Sequence, residues 1–502
     1  MQASCYAVTV TSVGKPPTGP HGQTSPEAFD PTSSVRRARR IYVNRNLRME
    51  EIELIGFDMD YTLAIYNQPA MERLSIEATL RKLVDKWGYP PEILGLSYDP
   101  SFAIRGLVID RHNGNILKAD RYGHVGRAYH GHRPLSREER KSLYQTIRIH
   151  AHQSRFACID TLFALPEVTM YATLVEHLDA LGKPDYDKLW QDIRNAIDEA
   201  HRDDTLKPII EANLPAYIER DPDLALTLHK FRSAGKRLFL LTNSLWHYTN
   251  AVMSYLLDGV LEAYASWRSF FDIIVVGSRK PDFFTSTEPF LELGDDGTPR
   301  GTATSLVRGH LYQGGNIHEF ERLAGASGDH VLYIGDHIYG DMLRSKKTTA
   351  WRTAMIIQEL EHEIALLERL ASKMARLEAV ERRIPLLEAE VAEQQALLRS
   401  LQRGSDSKQA EEARRLARAL LEDLRAQLRQ TTDEHAALEA ELQAAFNPYW
   451  GAIFREGQEN SRFGEQVEDY ACVYTSRVSN FLAYPTNFYF RSPRDHMPHE
   501  LL

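Results

Sequence analysis

Four short apolar segments, each ending in polar residues, set the pattern of this chain. They read IELIGFDMD from residue 52, RLFLLTNS from residue 237, FFDIIVVGSRK from residue 270 and HVLYIGDH from residue 330. Such β-prone runs are typical of buried strands, and helical patterns such as LALTLHKFRSAG lie between them. Alternating strands and helices predict an α/β fold with a parallel sheet, whose polar strand ends should meet at one edge.

The spacing of these strands predicts an insertion. Roughly 180 residues separate the first strand from the second, whereas α/β connections usually take about 2–6 residues. We therefore predict an inserted, mainly helical cap domain over residues 66–219. The catalytic core would comprise residues 39–65, 220–355 and 446–502, and the Pro-, Gly- and Ser-rich residues 1–38 would form a disordered tail.

Residues 356–445 carry a different pattern. Leu, Ile and Val recur at heptad-like spacing among Glu, Arg and Gln, with RGSDSK as an interruption. This predicts a long α-helical hairpin of coiled-coil type, with a kink or break at Pro385. Two interpretations stay open, an intramolecular hairpin and an arm for self-association.

Composition narrows the functional classes. The chain has 502 residues, 43% of them hydrophobic and 26% charged, which is an ordinary globular balance. A net charge of −9 argues against nucleic acid as a partner. Three scattered cysteines, Cys5, Cys158 and Cys472, fit a reducing cytoplasm, and the absence of a run of about 18 apolar residues argues against a membrane span.

The first strand end holds two carboxylates, Asp58 and Asp60. Alternation along an extended chain places both on the same side, where a hard cation such as Mg²⁺ would relieve their repulsion. One carboxylate could then attack phosphorus while the other handles the proton of the leaving group. A structural or merely solvated pair is the alternative when this motif is considered alone.

The other strand ends offer groups that suit a phosphate. Thr242, Asn243 and Ser244 present hydroxyls, an amide and backbone N–H groups, although Thr242 or Ser244 could simply cap the next helix. Lys280 follows the third strand and could neutralise negative charge, although a surface lysine is the alternative. The fourth strand end contributes two further carboxylates as metal ligands, Asp336 and Asp341.

In this order the motifs DxDxT, TNS, Lys and GDxxxxD resemble the haloacid dehalogenase superfamily of phosphohydrolases. YVNRNLRME, DTLFALPE, RKPDFF, LYIGDHIYGDMLRSKK and YPTNFYFR resemble, more closely, the cytosolic purine 5′-nucleotidases specific for inosine and guanosine monophosphates. The resemblance runs from about residue 40 to the C-terminus, except in the hairpin. It implies a haloacid dehalogenase-like parallel sheet, a helical cap and Mg²⁺ as cofactor.

The resemblance also implies roles for single residues. Asp58 would form an aspartyl-phosphate, and Asp60 would protonate the leaving nucleoside oxygen and then activate water. Mg²⁺ would be held by Asp58, Asp60 and Asp336, with Asp341 behind them. The phosphate would be held by Thr242, Asn243, Ser244 and Lys280.

Recognition of the base is implied for a segment of the cap. Arg194, Asp198 and His201 share one face of a predicted helix, Lys207 follows them, and Phe163 would stack on the purine. Arg and Lys donors with an Asp acceptor suit a 6-oxopurine. A salt-bridged exposed helix with Phe163 in the core is the alternative interpretation.

Regulation and assembly are less specified. The family's adenine-nucleotide effector site corresponds to Asp160, Lys347 and Gln466 here, but Asp160 replaces an Asn and Asp469 replaces an Arg, so binding of a polyphosphate should be weakened. The family tends to form dimers or tetramers, so a homo-oligomer is expected.

The leading hypothesis is a cytoplasmic 5′-nucleotidase that also transfers phosphate to nucleosides. A phosphatase for another phosphomonoester and a non-catalytic nucleotide-binding scaffold are the competing ones.

Overall fold

The computed structural model of the protein describes residues 35–149, 154–182, 184–203, 205–343, 349–402 and 408–493. In chain order its strands are β1 (Tyr42–Val43), β2 (Leu47–Arg48), β3 (Leu54–Phe57), β4 (Ile65–Tyr66), β5 (Val108–Asp110), β6 (Asn115–Ala119), β7 (Val125–His130), β8 (Arg133–Pro134), β9 (Phe156–Cys158), β10 (Ile218–Glu219), β11 (Arg237–Leu241), β12 (Ile273–Val276), β13 (Phe290–Leu293), β14 (Pro299–Thr302), β15 (Leu311–Gly314), β16 (Val331–Gly335), β17 (Arg352–Ile356), β18 (Arg455–Glu456), β19 (Glu459–Asn460), β20 (Val473–Thr475) and β21 (Tyr489–Phe490).

Its α-helices are α1 (Gln68–Trp87), α2 (Arg137–Tyr144), α3 (Leu165–Leu181), α4 (Tyr186–Arg202), α5 (Lys207–Ala212), α6 (Leu214–Tyr217), α7 (Leu224–Ser233), α8 (Trp246–Leu257), α9 (Ile317–Ala324), α10 (Glu359–Arg369), α11 (Ala371–Gln402), α12 (Lys408–Phe446) and α13 (Arg462–Tyr470). A single π-helical turn, Ile338–Leu343, follows β16.

A parallel sheet forms the centre of the molecule, in the order β20-β17-β16-β3-β11-β12-β15. β1 extends one edge of this sheet in the antiparallel direction, and β13 and β14 extend the other. The four apolar segments of the sequence are β3, β11, β12 and β16, and they lie side by side. The predicted α/β parallel sheet is therefore confirmed.

The central strands are apolar because both faces of the sheet are covered. β3, β12 and β16 are buried along their whole length. Within β3, a Cβ atom at Gly56 would lie 2.0 Å from the ring of Phe239 in the neighbouring strand β11. The ring thus occupies the place of a side chain at this position, which explains a glycine in the interior of a strand.

The long insertion is mainly helical, as predicted, and contains α1, α3 and α4. It also contains an antiparallel sheet in the order β8-β7-β6-β5-β9, which the sequence pattern did not predict. Its strands are two to six residues long. The insertion shares a hydrophobic cluster with the central sheet, in which Leu162 and Ile197 belong to the same set as Phe57 and Leu240.

Helices α11 and α12 form the predicted hairpin, and they pack on each other within one chain. Buried apolar side chains line their contact, namely Leu387, Val391, Leu421 and Leu424. The ion pair Arg376–Glu434 and the hydrogen-bonded pair Glu381–His435 lie beside it. This packing is what the intramolecular interpretation expects, and self-association of the hairpin stays a prediction. The predicted break at Pro385 is wrong as an interruption, because α11 continues through it.

The C-terminal segment returns to the centre of the molecule, where β20 pairs with β17. Among the helices that the structure describes, none combines the length and the apolar character that crossing a membrane requires.

Candidate active site at the strand ends

The carboxyl ends of the central strands meet, as the sequence predicted. The N–H of Asp58, after β3, donates to the carbonyl of Ile334 in β16 at 2.9 Å. The N–H of Thr242, after β11, donates to the carbonyl of Val275 in β12 at 3.0 Å. The N–H of Ser278 in turn donates to the carbonyl of Thr242 at 3.0 Å. These main-chain bonds bring the candidate side chains to one edge of the sheet.

Lys280 lies between two carboxylates. Its Nζ is 3.0 Å from Oδ1 of Asp58 and 2.7 Å from Oδ1 of Asp341, and it donates to the hydroxyl of Tyr333 at 2.7 Å. Burial opposes the charge, but Asp341 and Asp58 together raise the pKa of Lys280, so it stays an ammonium. The lysine predicted from the third strand end therefore supplies a permanent positive charge beside Asp58.

Asp60 is held by two hydroxyl donors. The hydroxyl of Tyr66 donates to Oδ1 at 2.6 Å, and Oγ of Ser244 donates to Oδ2 at 2.7 Å. The hydroxyl of Tyr248 lies 2.8 Å from that of Tyr66. Burial raises the pKa of Asp60, while the bonds from Tyr66 and Ser244 act in the opposite direction. A carboxyl with a raised pKa and a fixed orientation suits proton transfer.

Three carboxylates are arranged as a metal site would be. One oxygen each from Asp58, Asp336 and Asp341 lies within 4.8 Å of the others. Oδ2 of Asp336 is buried and has no hydrogen-bond partner among the described residues. Burial, with Asp341 and Asp58 adding to it, raises the pKa of Asp336 well above its ordinary value. An oxygen-liganded divalent cation such as Mg²⁺ would relieve this unfavourable cluster, so the donor set fits it.

The cradle predicted from Thr242, Asn243 and Ser244 is partly occupied by internal bonds. Asn243 donates from Nδ2 to the carbonyl of Lys280 at 2.9 Å, and its Oδ1 accepts from the N–H of Lys280 at 2.6 Å and from Oγ of Ser278 at 2.9 Å. Oγ1 of Thr242 accepts from the N–H of Ser244 at 3.1 Å. The Asn243 side chain thus fixes the loop that carries Lys280, and its contact with a phosphate stays a prediction.

The backbone turns at Tyr61, directly after the Asp58–Asp60 motif. It has a φ of +56°, in the left-handed region that is uncommon for residues other than glycine, and it is fully buried. Its ring lies 4.9 Å from the ring of Tyr66 and 4.6 Å from that of Phe163 between centres. The turn at Tyr61 therefore links the Asp58–Asp60 motif to the aromatic residue predicted to stack on the base.

The predicted base-binding residues lie on the adjacent face of the insertion. The rings of Phe163 and His201 make an edge-to-face contact with centres 5.9 Å apart. Nζ of Lys207 lies 5.7 Å from the ring centre of Tyr248, which places it beside the Asp60 network. Burial lowers the pKa of His201, and the nearby Asp198 opposes this shift.

Arg194 is already paired in the structure. Its Nη1 donates to both oxygens of Glu167, at 3.1 and 3.0 Å. Burial raises the pKa of Glu167 to about 7, and Arg194 opposes this shift. Asp198 is exposed one turn along α4. Any contact of Arg194 with a base would use the part of its guanidinium that Glu167 leaves open.

The predicted effector residues are only partly described. Asp160 is half-buried before the short helical turn at Leu162–Ala164, and Gln466 is half-buried in α13. Lys347 lies outside the described residues. Weak binding of an adenine nucleotide at this place stays a prediction.

Sequence reasoning missed Tyr66, Tyr248 and Tyr333. Tyr248 and Tyr333 are ordinary aromatic residues in their own segments, and their roles depend on hydrogen bonds to residues distant in sequence, Tyr66 and Lys280 respectively. Tyr66 itself lies only six positions after its partner Asp60. The signal that could have indicated Tyr66 is its closeness in sequence to the polar strand end that carries Asp60.

Comparison with known proteins identifies the class. The model of the 5′ nucleotidase family matches residues 41–502. The chain therefore belongs to the 5′ nucleotidase family of hydrolases.

Three relatives show how far the similarity extends. A 5′-nucleotidase domain-containing protein of Dictyostelium discoideum is 30% identical over 478 residues, which cover 92% of this chain and 74% of the relative. 5′-Nucleotidase domain-containing protein 2 is 31% identical in rat, over 92% of this chain and 80% of the relative. The human protein of that name is also 31% identical, over 92% of this chain and 85% of the relative.

Similar solved structures include the HAD-hydrolase YfnB of Bacillus subtilis bound to magnesium, which is 16% identical with a TM-score of 0.22 and covers 61% of this chain and 86% of its own. CbbY of Rhodobacter sphaeroides in complex with phosphate is 14% identical with a TM-score of 0.24, over the same shares.

Proposed function

We propose that the protein is a Mg²⁺-dependent 5′-nucleotidase that hydrolyses purine nucleoside monophosphates, with inosine and guanosine monophosphates preferred. The observation that carries the proposal is the pairing of Asp58 with Lys280 at 3.0 Å, next to Asp336 and Asp341. A carboxylate held beside a buried ammonium and a candidate cation site suits attack on an anionic phosphate, because the positive charges offset the repulsion.

The first chemical step is assigned to Asp58 and Asp60. An oxygen of Asp58 forms a bond to phosphorus while the bond from phosphorus to the nucleoside 5′ oxygen breaks. Asp60, oriented by Tyr66 and Ser244, gives its proton to the departing oxygen. Asp58, Asp336 and the main-chain oxygen of Asp60, with Asp341 behind them, would hold Mg²⁺, which would supply positive charge for the phosphoryl group.

The second step restores Asp58. Asp60 takes a proton from water, the water oxygen forms a bond to phosphorus, and the bond from phosphorus to Asp58 breaks, which releases phosphate. If the hydroxyl of a second nucleoside attacks instead of water, the same intermediate transfers the phosphoryl group to it. We therefore include nucleoside phosphotransfer in the proposal.

Selection of a purine is proposed for the face formed by Phe163, His201, Lys207, Asp198 and Arg194. The aromatic contact between Phe163 and His201 supports a flat ligand at this place. Asp198 is an exposed acceptor and Lys207 a donor, which together match the N–H and carbonyl of a 6-oxopurine. The position of Lys207 near Tyr248 supports a base bound close to the Asp60 network.

The proposal is tested by measuring phosphate release from inosine, guanosine and adenosine monophosphates, with glucose 6-phosphate as a substrate without a base. We expect release from the 6-oxopurine nucleotides with Mg²⁺, little release from the sugar phosphate, and none after chelation of the metal. Asp198→Ala should remove the preference for 6-oxopurines. Release from the sugar phosphate at an equal rate, or no release from any nucleotide by the folded protein, would contradict the proposal.

A further inference from the structure

Arg105 is a fully buried arginine that joins the insertion to the loop after β16. Its Nε and Nη2 donate to Oε1 and Oε2 of Glu359 at 2.8 and 2.6 Å, and its Nη1 donates to the main-chain oxygen of Asp336 at 3.0 Å. Its guanidinium carbon lies 4.9 Å from the centre of the Phe463 ring. One side chain with no exposed surface therefore contacts the start of α10, the carboxylate loop and α13.

The direction of the bond to Asp336 is fixed by the other two. A guanidinium is planar, and a bidentate pair with a carboxylate locks its plane and its rotation. Glu359 is the first residue of α10, where a negative charge is favourable because of the helix dipole. With Glu359 taking Nε and Nη2, the two N–H bonds of Nη1 lie in a fixed plane, and Nη1 donates from there to the Asp336 carbonyl.

Asp336 depends on its main chain for its orientation. Oδ2 of its carboxylate has no hydrogen-bond partner among the described residues. On the N-terminal side of Asp336, a Cβ atom at Gly335 would lie 2.5 Å from Oδ2 of Asp341, so the chain there is closely confined. The peptide that precedes Asp336 therefore lies close to Asp341, and the carbonyl of Asp336 itself accepts a hydrogen bond from Arg105.

We propose that Arg105 is a positioning residue for the metal site, acting through the Asp336 carbonyl, with Glu359 fixing its direction. The inference rests on the proposed function in that Asp336 is taken as a ligand of Mg²⁺. It also makes the insertion and α10, the helix that precedes the hairpin, part of the support of the site, because Arg105 and Glu359 come from those two segments. A lysine at position 105 keeps the charge but cannot span both partners.

The test compares Arg105→Lys with Arg155→Lys in the full chain. Arg155 is a matched control because it also donates from Nε and Nη2 to a buried carboxylate, Asp110, at 2.8 and 2.7 Å, in the antiparallel sheet of the insertion. Mn²⁺ binding is measured by calorimetry, and the half-saturating Mg²⁺ concentration is measured for phosphate release. Asp336→Asn identifies the binding that belongs to this site.

We expect Arg105→Lys to weaken Mn²⁺ binding and Mg²⁺ activation by about 10–100-fold, the usual effect of losing an outer partner of a metal ligand. Arg155→Lys should leave both values near those of the unchanged protein, even if both variants melt at lower temperature. Glu359→Gln keeps an acceptor for Arg105 and should give a smaller loss, so it replaces Arg105→Lys if that variant does not fold.

Unchanged Mn²⁺ binding in Arg105→Lys or Glu359→Gln would overturn the inference. An equal loss in Arg155→Lys would also overturn it, because the effect would then be one of general stability. If the unchanged protein binds Mn²⁺ through Asp336 but releases phosphate from no nucleotide, the proposed function fails while the positioning role can still be measured.

Discussion

Nζ of Lys280 lies 3.0 Å from Oδ1 of Asp58, although the two residues follow strands that are separated by β11 in the sheet. The same ammonium lies 2.7 Å from Asp341, and both partners are among the carboxylates of the candidate metal site. Lys280 therefore compensates negative charge that would otherwise stand unpaired in the interior. This relationship connects the stability of the site to its chemistry.

Replacing Lys280 by methionine should destabilise the protein through the carboxylates it leaves behind. Removing one partner of a buried ion pair costs roughly 3–5 kcal/mol. The free energy of unfolding of Lys280→Met, measured with a chelator at pH 8, should fall by an amount of this order. Added Mg²⁺ should stabilise the variant more than the unchanged protein, because the cation relieves more repulsion.

Lys118→Met is the matched control for this experiment. Lys118, in β6 of the insertion, is also buried, and its Nζ donates to the carbonyls of Trp450, Ala452 and Arg455 of the C-terminal segment at 2.6–2.7 Å. Its replacement should destabilise the protein without changing the response to Mg²⁺. An equal Mg²⁺ response in both variants would show that Lys280 does not compensate the metal-site carboxylates.

Tyr66→Phe should slow the chemical step without weakening substrate binding. The variant removes the 2.6 Å bond to Asp60, and hydrogen bonds to charged groups contribute about 1.5–3 kcal/mol, which corresponds to roughly a 10–100-fold lower kcat. Tyr129→Phe, which loses a bond to the Tyr449 carbonyl, is the control. Steady-state kinetics that show a changed KM with an unchanged kcat would contradict this role of Tyr66.

Glu72 is expected to make stability depend on pH. Burial raises its pKa from 4.5 to about 7, with the bond from Gln68 acting in the opposite direction. A raised pKa in the folded state means that folding favours the protonated carboxyl. The stability contributed in this way is present below pH 4.5 and is lost as the pH rises towards 7.

Glu72→Gln removes this dependence. The rise in the pKa of Glu72 corresponds to a free energy of roughly 3 kcal/mol. The variant should therefore be more stable than the unchanged protein by up to about that amount at pH 8, and by little at pH 4.5. Glu77→Gln, on the exposed side of the same helix, should change stability little at either pH. Denaturant unfolding at the two pH values measures both, and a loss of stability at pH 8 in Glu72→Gln would contradict the assignment.

The hairpin should be dispensable for the chemistry. The start of α11 and the end of α12 lie together, since Lys373 pairs with Glu441, so a short Gly/Ser linker can replace residues 374–440. Phosphate release by this variant should stay close to that of the full chain, because the strand-end residues make no contact with the removed segment in the described structure.

Light scattering on the same two chains tests assembly. An expected dimer or tetramer that persists without the hairpin would assign the interface to the rest of the molecule, and a monomer would assign it to the hairpin. Loss of phosphate release in a variant that keeps its melting temperature would contradict the separation of hairpin and chemistry.

Much of this architecture follows from local patterns. The four apolar segments predicted adjacent parallel strands, and DMDYT, TNS, Lys280 and GDHIYGD marked their polar ends, because alternation and strand direction are local properties. The hairpin was predicted from its heptad-like spacing. The continuous helix through Pro385 was not, since packing against α12 outweighs a local preference.

What could not be predicted depends on contacts between distant segments. The amide of Asn243 donates to the carbonyl of Lys280, 37 positions away, which no local pattern indicates, and its contact with a phosphate stays a prediction. Arg105 reaches Glu359 across 254 positions, and no motif marks such a pair. The antiparallel sheet of the insertion has strands too short for their alternation to stand out from loop sequence.

The role of Asp58 as the nucleophile of a 5′-nucleotidase is tested by mass analysis of the protein, quenched with acid during turnover of inosine monophosphate in the presence of Mg²⁺. We expect a phosphorylated peptide that contains Asp58, its disappearance when the nucleotide is exhausted, and its absence in Asp58→Asn. Phosphate release by Asp58→Asn at the rate of the unchanged protein, with no phosphorylated peptide in either, would contradict it.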